Sequence, residues 1–178
     1  MPDCIATGSA LAVADIRNDT IDVSVVIPAL NEADNLVALV AEVSAAVEGR
    51  YRYEIIVIDD GSTDPTPTVL ADLQTGDAAV VGLRHRQPCG QSAAMLSGVR
   101  YAQGLIVVTL DGDGQNDPAD IPRLVETLRY AGRHIGLVAG RRKRRQDSLV
   151  KRLSSRFANK LRRRLLNDGV DDTGCGIR

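Results

Sequence analysis

The 178-residue sequence predicts an α/β domain with a mostly parallel central sheet flanked by helices. Short apolar runs of strand length alternate along the chain with stretches whose apolar residues recur every three or four positions, as in amphipathic helices. The apolar runs are continuous, which is expected where helices cover both faces of a parallel sheet. This alternation of strand and helix indicates right-handed crossover connections within one Rossmann-like sheet.

The first half of the chain predicts two strand–helix pairs. The first apolar run is stopped by Pro28, which has no N–H for a strand ladder, and Asn31 is then placed to cap a helix. The apolar stripe of that helix consists of Leu36, Val40, Val43 and Val47. Residues 54–60 repeat the apolar run and end in two carboxylates. Asp64 as N-cap and Pro65 at the first helical position then begin the second helix.

The second half continues the alternation and ends in a fifth strand. Apolar runs predict strands at residues 78–84, 105–110 and 135–140. A helix is predicted at residues 91–102, and Asp117 caps a last helix that has Pro118 at its first position. Ligands are expected beyond the carboxyl ends of these strands, as in other open α/β sheets.

The turn after the fourth predicted strand sets two carboxylates one residue apart. Asp111 at the strand terminus and Asp113 in the turn can face one bound cation, and Gln115 is near enough to add a neutral oxygen. These hard ligands suit Mg²⁺ or Mn²⁺ better than zinc, and such a cation keeps coordination positions for substrate phosphates. A bare Asp-x-Asp is also a common polar turn, so its interpretation depends on its surroundings.

Those surroundings favour a nucleotide site, because polar or charged residues follow all five predicted strands. Asp60 can accept a hydrogen bond from a base or a ribose, while Asp113 can hold a metal that bridges two phosphates. No Gly-x-Gly-x-x-Gly opens a helix after the first strand, and no Gly-x-x-x-x-Gly-Lys-Ser/Thr occurs. The dinucleotide and P-loop interpretations therefore lose their main support.

Composition is that of a globular protein with reduced cysteines, which favours a cytoplasmic setting. The three cysteines form no Cys-x-x-Cys pair, and no apolar run reaches the roughly 18 residues of a membrane span. The net charge of −1 hides a division: residues 1–140 hold 9 Lys or Arg and 19 Asp or Glu, whereas residues 141–178 hold 13 and 4. Residues 1–20 show no clear period and predict a loose N-terminal arm before one domain at residues 21–178.

Four motifs, in this order and spacing, resemble the family 2 glycosyltransferases with the GT-A fold. They are PALNE at residues 28–32, DDGSTD at 59–64, GQSAA at 90–94 and DGDGQNDP at 111–118. The resemblance extends from about Val23 to Arg178. It is greatest to the dolichyl-phosphate and polyprenyl-phosphate sugar transferases, of which dolichyl-phosphate mannosyltransferase is one type.

The resemblance implies an inverting, metal-dependent transfer of a hexose from a nucleoside diphosphate sugar, either GDP-mannose or a UDP-sugar. It implies a donor pocket formed by Pro28, Leu30, Glu32, Ile58, Asp60, Arg86, Asp111, Gly112 and Asp113. It also implies that Asp113 and Gln115 are the chief ligands of Mg²⁺ or Mn²⁺, beside Asp111. Pro88 departs from the pattern, because Asn is common at that position.

The implied acceptor is a polyprenyl phosphate, dolichyl or undecaprenyl. Arg141 would face the donor phosphates, while Arg152 and Arg156 would face the acceptor phosphate. A lipid phosphate is already anionic near neutral pH, so positioning and charge neutralisation replace a strong general base. In the wider family an acidic residue near Asp172 can act as a base toward a hydroxyl acceptor, which makes Asp172 a further candidate catalytic residue.

The basic amphipathic segment at residues 141–166, treated as a helix over residues 148–166, has two interpretations. It can lie on an anionic membrane surface and deliver arginines to the acceptor phosphate, which gives a peripheral location at the cytoplasmic membrane face. It can equally be a packed helix with a solvated basic face. Nucleic acid is a weaker partner, since Phe157 is the one aromatic residue of the segment.

Two other functions remain open at the level of sequence. One keeps the donor site but uses a saccharide hydroxyl as acceptor, as in the synthesis of cell-wall or surface polysaccharide. The other is a truncated, non-catalytic module that binds nucleotide or a membrane surface. Relatives of the resembled family continue with further helices, so the chain is expected to be a truncated form, a fragment or a minimal form.

Overall fold

A computed structural model describes residues 20–132 and 134–140 of the protein. Strands and helices alternate along these residues. The strands are β1 (Val23–Ala29), β2 (Tyr53–Asp59), β3 (Val80–Arg84) and β4 (Ile106–Thr109). The α-helices are α1 (Ala33–Val47), α2 (Thr66–Gly76), α3 (Gln91–Tyr101) and α4 (Ile121–Tyr130), and a 3₁₀ turn at Pro118–Asp120 precedes α4. Within the described ranges, every helix is too short or too polar to cross a membrane.

The four described strands form one parallel sheet in the order β3-β2-β1-β4. The chain builds outward from β1 through β2 to β3, and then crosses back to place β4 on the other side of β1. This reversal is a topological switch point, where open α/β sheets bind ligands beyond the carboxyl ends of their strands. The α/β fold with a parallel, helix-flanked sheet that the sequence predicted is confirmed.

Both faces of the sheet are covered, as the continuous apolar runs predicted. On one face, Val25 and Ile27 of β1 belong to a core shared with α1, α2 and α4. On the other face, Val26 packs with Ile58 of β2 and Ala94 of α3. The predicted stripe of α1 is confirmed, because its four members are all buried: Leu36, Val40, Val43 and Val47.

Pro28 does not end β1, which corrects the prediction from sequence. The strand continues through Ala29 and stays in register with β2. The Ala29 carbonyl accepts from the Asp60 N–H at 2.9 Å on the β2 side, so the backbone of Pro28 faces the β4 side. Pairing with β4 has already ended at Val26 and Thr109. The missing N–H of Pro28 therefore breaks no ladder bond.

The fifth strand predicted at residues 135–140 is wrong. These residues have no regular secondary structure and pair with none of the strands that the structure describes. Ile135 and Leu137 are exposed. An apolar run becomes a strand only when a neighbouring strand satisfies its backbone groups, and apolarity in sequence does not supply that neighbour.

Candidate functional site

A cavity of about 370 Å³ opens at the switch point between β1 and β4. Four segments line it: the end of β1 with the turn after it, the residue after β2, the turn that leads into α3, and the turn after β4. The lining residues are Pro28, Ala29, Leu30, Glu32, Asp60, Pro88, Gly90, Gln91, Asp111, Gly112 and Asp113. Four of the five strand-end segments singled out in the sequence therefore meet around one space, and Gly140, after the fifth predicted strand, does not line it.

Gly112 allows the acidic turn to lie against the end of β1. The Leu110 N–H still bonds to the Val26 carbonyl at 3.0 Å, so the chain leaves β4 directly beside β1. A Cβ atom on Gly112 would stand 2.7 Å from the Pro28 carbonyl oxygen, which is far inside contact distance. Only glycine permits this approach, and the approach brings both carboxylates of the turn to the cavity.

Two amides orient the half-buried carboxylate of Asp111. Its Oδ1 accepts from Gln91 Nε2 at 2.8 Å, and its Oδ2 accepts a longer bond from Asn116 Nδ2 at 3.4 Å. Gln91 begins α3, and Asn116 is buried. Neither amide is among the site residues predicted from the sequence, although Gln91 stands in the GQSAA motif and Asn116 in DGDGQNDP, which were the available signals.

Asp113 is the carboxylate best suited to hold a metal ion. Its side chain is exposed, and its Oδ1 accepts the Gln115 N–H at 3.1 Å. Among the described residues nothing donates to Oδ2, so this oxygen fits a hard cation such as Mg²⁺ or Mn²⁺, whose other ligands are phosphate oxygens and water. Gln115 is exposed and does not line the cavity, and its role as a ligand stays a prediction.

Asp60 is a buried carboxylate that takes three hydrogen bonds. Its Oδ1 accepts from the Cys89 N–H at 2.9 Å and lies 2.7 Å from His85 Nδ1, and its Oδ2 accepts from the Gly90 N–H at 2.7 Å. Burial acts to raise the pKa of Asp60, but the bonds from Cys89, His85 and Gly90 together outweigh it. The pKa of Asp60 therefore lies below its ordinary value, and the cavity presents a carboxylate rather than a carboxylic acid.

Asp59, the neighbouring carboxylate, serves the fold instead. It is fully buried, and its Oδ1 accepts the Ser62 N–H at 2.8 Å. Its Oδ2 lies 3.1 Å from Arg84 Nε, an ion pair whose geometry falls short of a hydrogen bond. Asp59 thus ties β2 to the turn that follows it and to β3.

Hydrogen bonds between two turns hold the PALNE segment on the cavity wall. The Asn31 N–H donates to Ser62 Oγ at 2.9 Å, and the Thr63 N–H donates back to Asn31 Oδ1 at 2.9 Å. The Glu32 N–H donates to Thr66 Oγ1 at 2.9 Å. Asn31 has a φ of 58° and does not cap α1, whose N-cap is Glu32, so its predicted role as a cap is wrong.

A second group of possible metal ligands consists of Asp60, His85 and Cys89, whose ligand atoms lie within 4.8 Å of one another. A metal ion there would have to displace the hydrogen bond of 2.7 Å between Asp60 and His85. The carboxylate of Asp60 already takes three donors, which is sufficient to account for its burial. We therefore interpret this group as a hydrogen-bonded cluster, and assign the fit for a hard divalent cation to Asp113.

The remaining predicted site residues are distributed as follows. Ile58 is fully buried between the sheet and α3, and Arg86 is exposed but does not line the cavity. The other seven members of the predicted donor pocket do line it: Pro28, Leu30, Glu32, Asp60, Asp111, Gly112 and Asp113. Four predicted residues lie outside the described ranges: Arg141, Arg152, Arg156 and Asp172. The functional roles of all of these residues stay predictions.

A larger, more open groove of about 560 Å³ runs beside α4, and none of the three cavity carboxylates, Asp60, Asp111 and Asp113, lines it. Tyr51 and α4 account for its shape: Tyr51 Oη donates to Glu126 Oε1 at 3.1 Å, and the Arg129 guanidinium lies 5.2 Å from the ring centroid. Burial, followed by the bond to Glu126, raises the pKa of Tyr51. Because these contacts join α4 to the turn after α1, we interpret the groove as a packing feature.

The parallel, helix-flanked sheet with a cavity at its switch point matches the GT-A glycosyltransferase fold that the sequence motifs imply. Comparison with known proteins confirms this class. The family model described as "Glycosyl transferase family 2" matches residues 24–178, and the chain belongs to this family.

Two similar proteins of known sequence share one name. The chain is 40% identical over 158 residues to the undecaprenyl-phosphate 4-deoxy-4-formamido-L-arabinose transferase of Pseudomonas fluorescens, covering 88% of this chain and 46% of that protein. It is 39% identical over 158 residues to the protein of the same name from Edwardsiella ictaluri, covering 88% and 48%. The chain thus spans about half the length of the curated relatives that it matches.

Solved structures with the same fold include two glycosyltransferase complexes. Glucosyl-3-phosphoglycerate synthase from Mycobacterium tuberculosis, in complex with phosphoglyceric acid, aligns with a TM-score of 0.66 at 28% identity, covering 88% of this chain and 55% of that one. The mannosyltransferase PcManGT from Pyrobaculum calidifontis, in complex with GDP-Man and Mn²⁺, aligns at 0.55 and 25% identity, covering 62% and 33%.

Proposed function

We propose that the chain is the donor-binding and catalytic domain of an inverting, metal-dependent glycosyltransferase that moves a sugar from a nucleoside diphosphate to a polyprenyl phosphate. The observation that carries this proposal is the convergence of Asp60, Asp111 and Asp113 on one cavity at the switch point. The undecaprenyl-phosphate transferases among the relatives support the acceptor. The structure of PcManGT with GDP-Man and Mn²⁺ supports the donor class and the metal.

Each carboxylate of the cavity has a separate proposed task. Asp60, held ionised by its hydrogen bonds, accepts from the base or the ribose. Asp111, oriented by Gln91, lies between the nucleoside and the diphosphate. Asp113 would hold Mg²⁺ or Mn²⁺, and the bound ion would neutralise charge that develops on the leaving diphosphate.

The acceptor side of the reaction is proposed for the basic part of the chain. Arg141 is proposed to face the donor phosphates, and Arg152 and Arg156 the phosphate of the acceptor. Since that phosphate oxygen is already anionic, binding it in line with the anomeric carbon supplies most of the catalysis. Residues 141–166, rich in Arg and Lys, would hold the domain at the cytoplasmic face of an anionic membrane.

A transfer assay tests the proposal. The full chain is incubated with Mn²⁺, a short polyprenyl phosphate, and labelled GDP-mannose, UDP-glucose, UDP-GlcNAc or a UDP-linked aminoarabinose derivative. The last donor is included because the named relatives use a modified arabinose, a pentose, whereas the sequence-based expectation is a hexose. Label is expected in the organic phase with one of these donors. Absence of extractable product with all four, while a saccharide acceptor becomes labelled, would contradict the proposed acceptor.

Matched variants connect that assay to the cavity. Asp113→Asn is expected to reduce the transfer rate at least about 100-fold, because the metal loses its carboxylate. Asp120→Asn, seven residues further on and also exposed, is the control and is expected to keep the wild-type rate. Equal rates in the two variants would exclude a metal role for Asp113.

A further inference from the structure

His85 connects the cavity to α3 without lining the cavity itself. His85 directly follows β3 and is only 2% exposed to solvent. Both nitrogens of its ring have hydrogen-bond partners. Nδ1 lies 2.7 Å from Asp60 Oδ1, and Nε2 lies 2.9 Å from Ser97 Oγ. Because an ionised carboxylate only accepts hydrogen bonds, Nδ1 carries the hydrogen and donates a hydrogen bond to Asp60 Oδ1. The imidazole thus joins a carboxylate of the cavity to a helix.

The elements at both ends of this connection are packed on the same sheet. The backbone N–H of His85 donates to the Asp59 carbonyl at 2.9 Å, which continues the pairing of β3 with β2. Ser97 precedes Gly98, where a Cβ atom would stand 2.5 Å from Val26 Cγ1. The helix therefore contacts the sheet too closely to shift toward it, and the Ser97 hydroxyl is a fixed partner for the ring.

The other two hydrogen-bond donors to Asp60 differ from His85 in how their backbone is held. The Cys89 and Gly90 amides belong to the turn that leads into α3, outside regular secondary structure. His85 is the donor whose backbone is paired to the sheet. It can therefore hold the carboxylate in one rotamer independently of that turn.

We propose that His85 is a positioning residue which, anchored by Ser97, fixes the Asp60 carboxylate in the orientation that binds the nucleoside of the donor. This inference rests on the proposed function, in which Asp60 accepts a hydrogen bond from the base or the ribose. It extends that function by adding a buried histidine and a partly buried serine that touch no substrate. If His85 served only the stability of the fold, its replacement would lower the free energy of unfolding and leave the affinity for the donor unchanged.

Three variants of the full chain separate these roles. His85→Ala removes the donor to Asp60. His85→Asn retains an N–H donor at the same number of bonds from the backbone as Nδ1. Ser97→Ala leaves the ring in place and removes its anchor. Each variant is titrated with GDP and with UDP in the presence of Mn²⁺ by calorimetry, and its stability is measured by urea unfolding.

We expect His85→Ala to weaken nucleoside diphosphate binding about tenfold, which corresponds to about 1.4 kcal/mol. His85→Asn should restore the affinity to within about threefold of wild type. In the transfer assay the KM for the donor should rise with little change in kcat, because the pair acts on binding rather than on the reacting atoms. Ser97→Ala should weaken binding about threefold, and it decides the question if His85→Ala does not fold.

The binding measurements distinguish a failure of this inference from a failure of the proposed function. If wild-type protein binds neither GDP nor UDP, the proposed function fails. If wild type binds and His85→Ala binds equally well, the function stands and the positioning role is excluded. Loss of affinity in His85→Asn equal to that in His85→Ala would also overturn the role, because the hydrogen bond would then not be its cause.

Discussion

At the scale of single residues, adjacent and identical side chains have different tasks. Asp59 is fully buried, accepts a hydrogen bond from Ser62 and forms an ion pair with Arg84, while Asp60 lines the cavity. Alternation of side chains along an extended chain sends neighbours to opposite sides. The sequence predicted a carboxylate site at this strand end and selected Asp60, but the structural task of Asp59 required knowledge of where β3 lies.

Replacing Asp59 by Ala is expected to lower the free energy of unfolding by about 2 kcal/mol, because the Ser62 N–H loses its buried acceptor. Urea unfolding at neutral pH measures the change. Asp72→Ala on the exposed face of α2 is the control, with an expected change below about 0.5 kcal/mol. Equal effects of the two substitutions would contradict the structural role of Asp59.

The pKa of Asp60 predicts a pH dependence of stability. Since hydrogen bonds hold this pKa below its ordinary value, the folded state favours the ionised form. The resulting stabilisation is present above the pKa of an unfolded aspartate, about 3.9, and is lost as the pH falls through the folded value. The difference in unfolding free energy between wild type and Asp60→Asn should therefore narrow from about pH 6 to about pH 3. A constant difference in urea unfolding would contradict this account.

At the scale of elements, the sequence predicted the four helices and the first four strands, but it predicted the ends of these elements less well and added a fifth strand that is not observed among the described residues. Apolar periodicity reports which face of a helix is buried, as in α1, whereas the start of α2 was predicted from Asp64 and Pro65. The contacts of the turn residues were not predicted, because their hydrogen-bond partners are distant in sequence. Asp64 is not the N-cap of α2 as predicted, because that position is taken by Pro65. Its carboxylate accepts from the Thr66 N–H at 3.0 Å and from the Ala33 N–H at 3.3 Å, at the start of α1. Asn31 likewise bonds across to the other turn.

Gly112 is the element-scale feature most sensitive to substitution. Gly112→Ala is expected to push the acidic turn away from the Pro28 carbonyl, and to weaken GDP or UDP binding at least about tenfold. Gly76→Ala at the end of α2 is the control, since an added Cβ there meets nothing within 4 Å. That control should keep its affinity and gain up to about 1 kcal/mol of stability. Calorimetry and urea unfolding give the two quantities, and unchanged affinity in Gly112→Ala would contradict the close-approach argument.

At the scale of the whole molecule, the site exists because of strand order. The sequence predicted that several strand ends carry polar residues, and hence that ligands bind at that edge. It did not supply the order β3-β2-β1-β4, which places the turn after β4 beside β1 rather than beside β3. Contacts such as that between Gln91 and Asp111 follow from this order, and no local pattern encodes them.

The central claim is that the carboxylates at this switch point form a metal-dependent nucleoside diphosphate site. Calorimetric titration of the full chain with GDP and UDP, with and without Mn²⁺, tests it most directly in wild type, Asp113→Asn and Asp120→Asn. Wild type and Asp120→Asn should bind at least about tenfold more tightly with Mn²⁺ than without it, whereas Asp113→Asn should show no such gain. An equal gain from Mn²⁺ in Asp113→Asn, or no binding of either nucleotide by wild type, would contradict the claim.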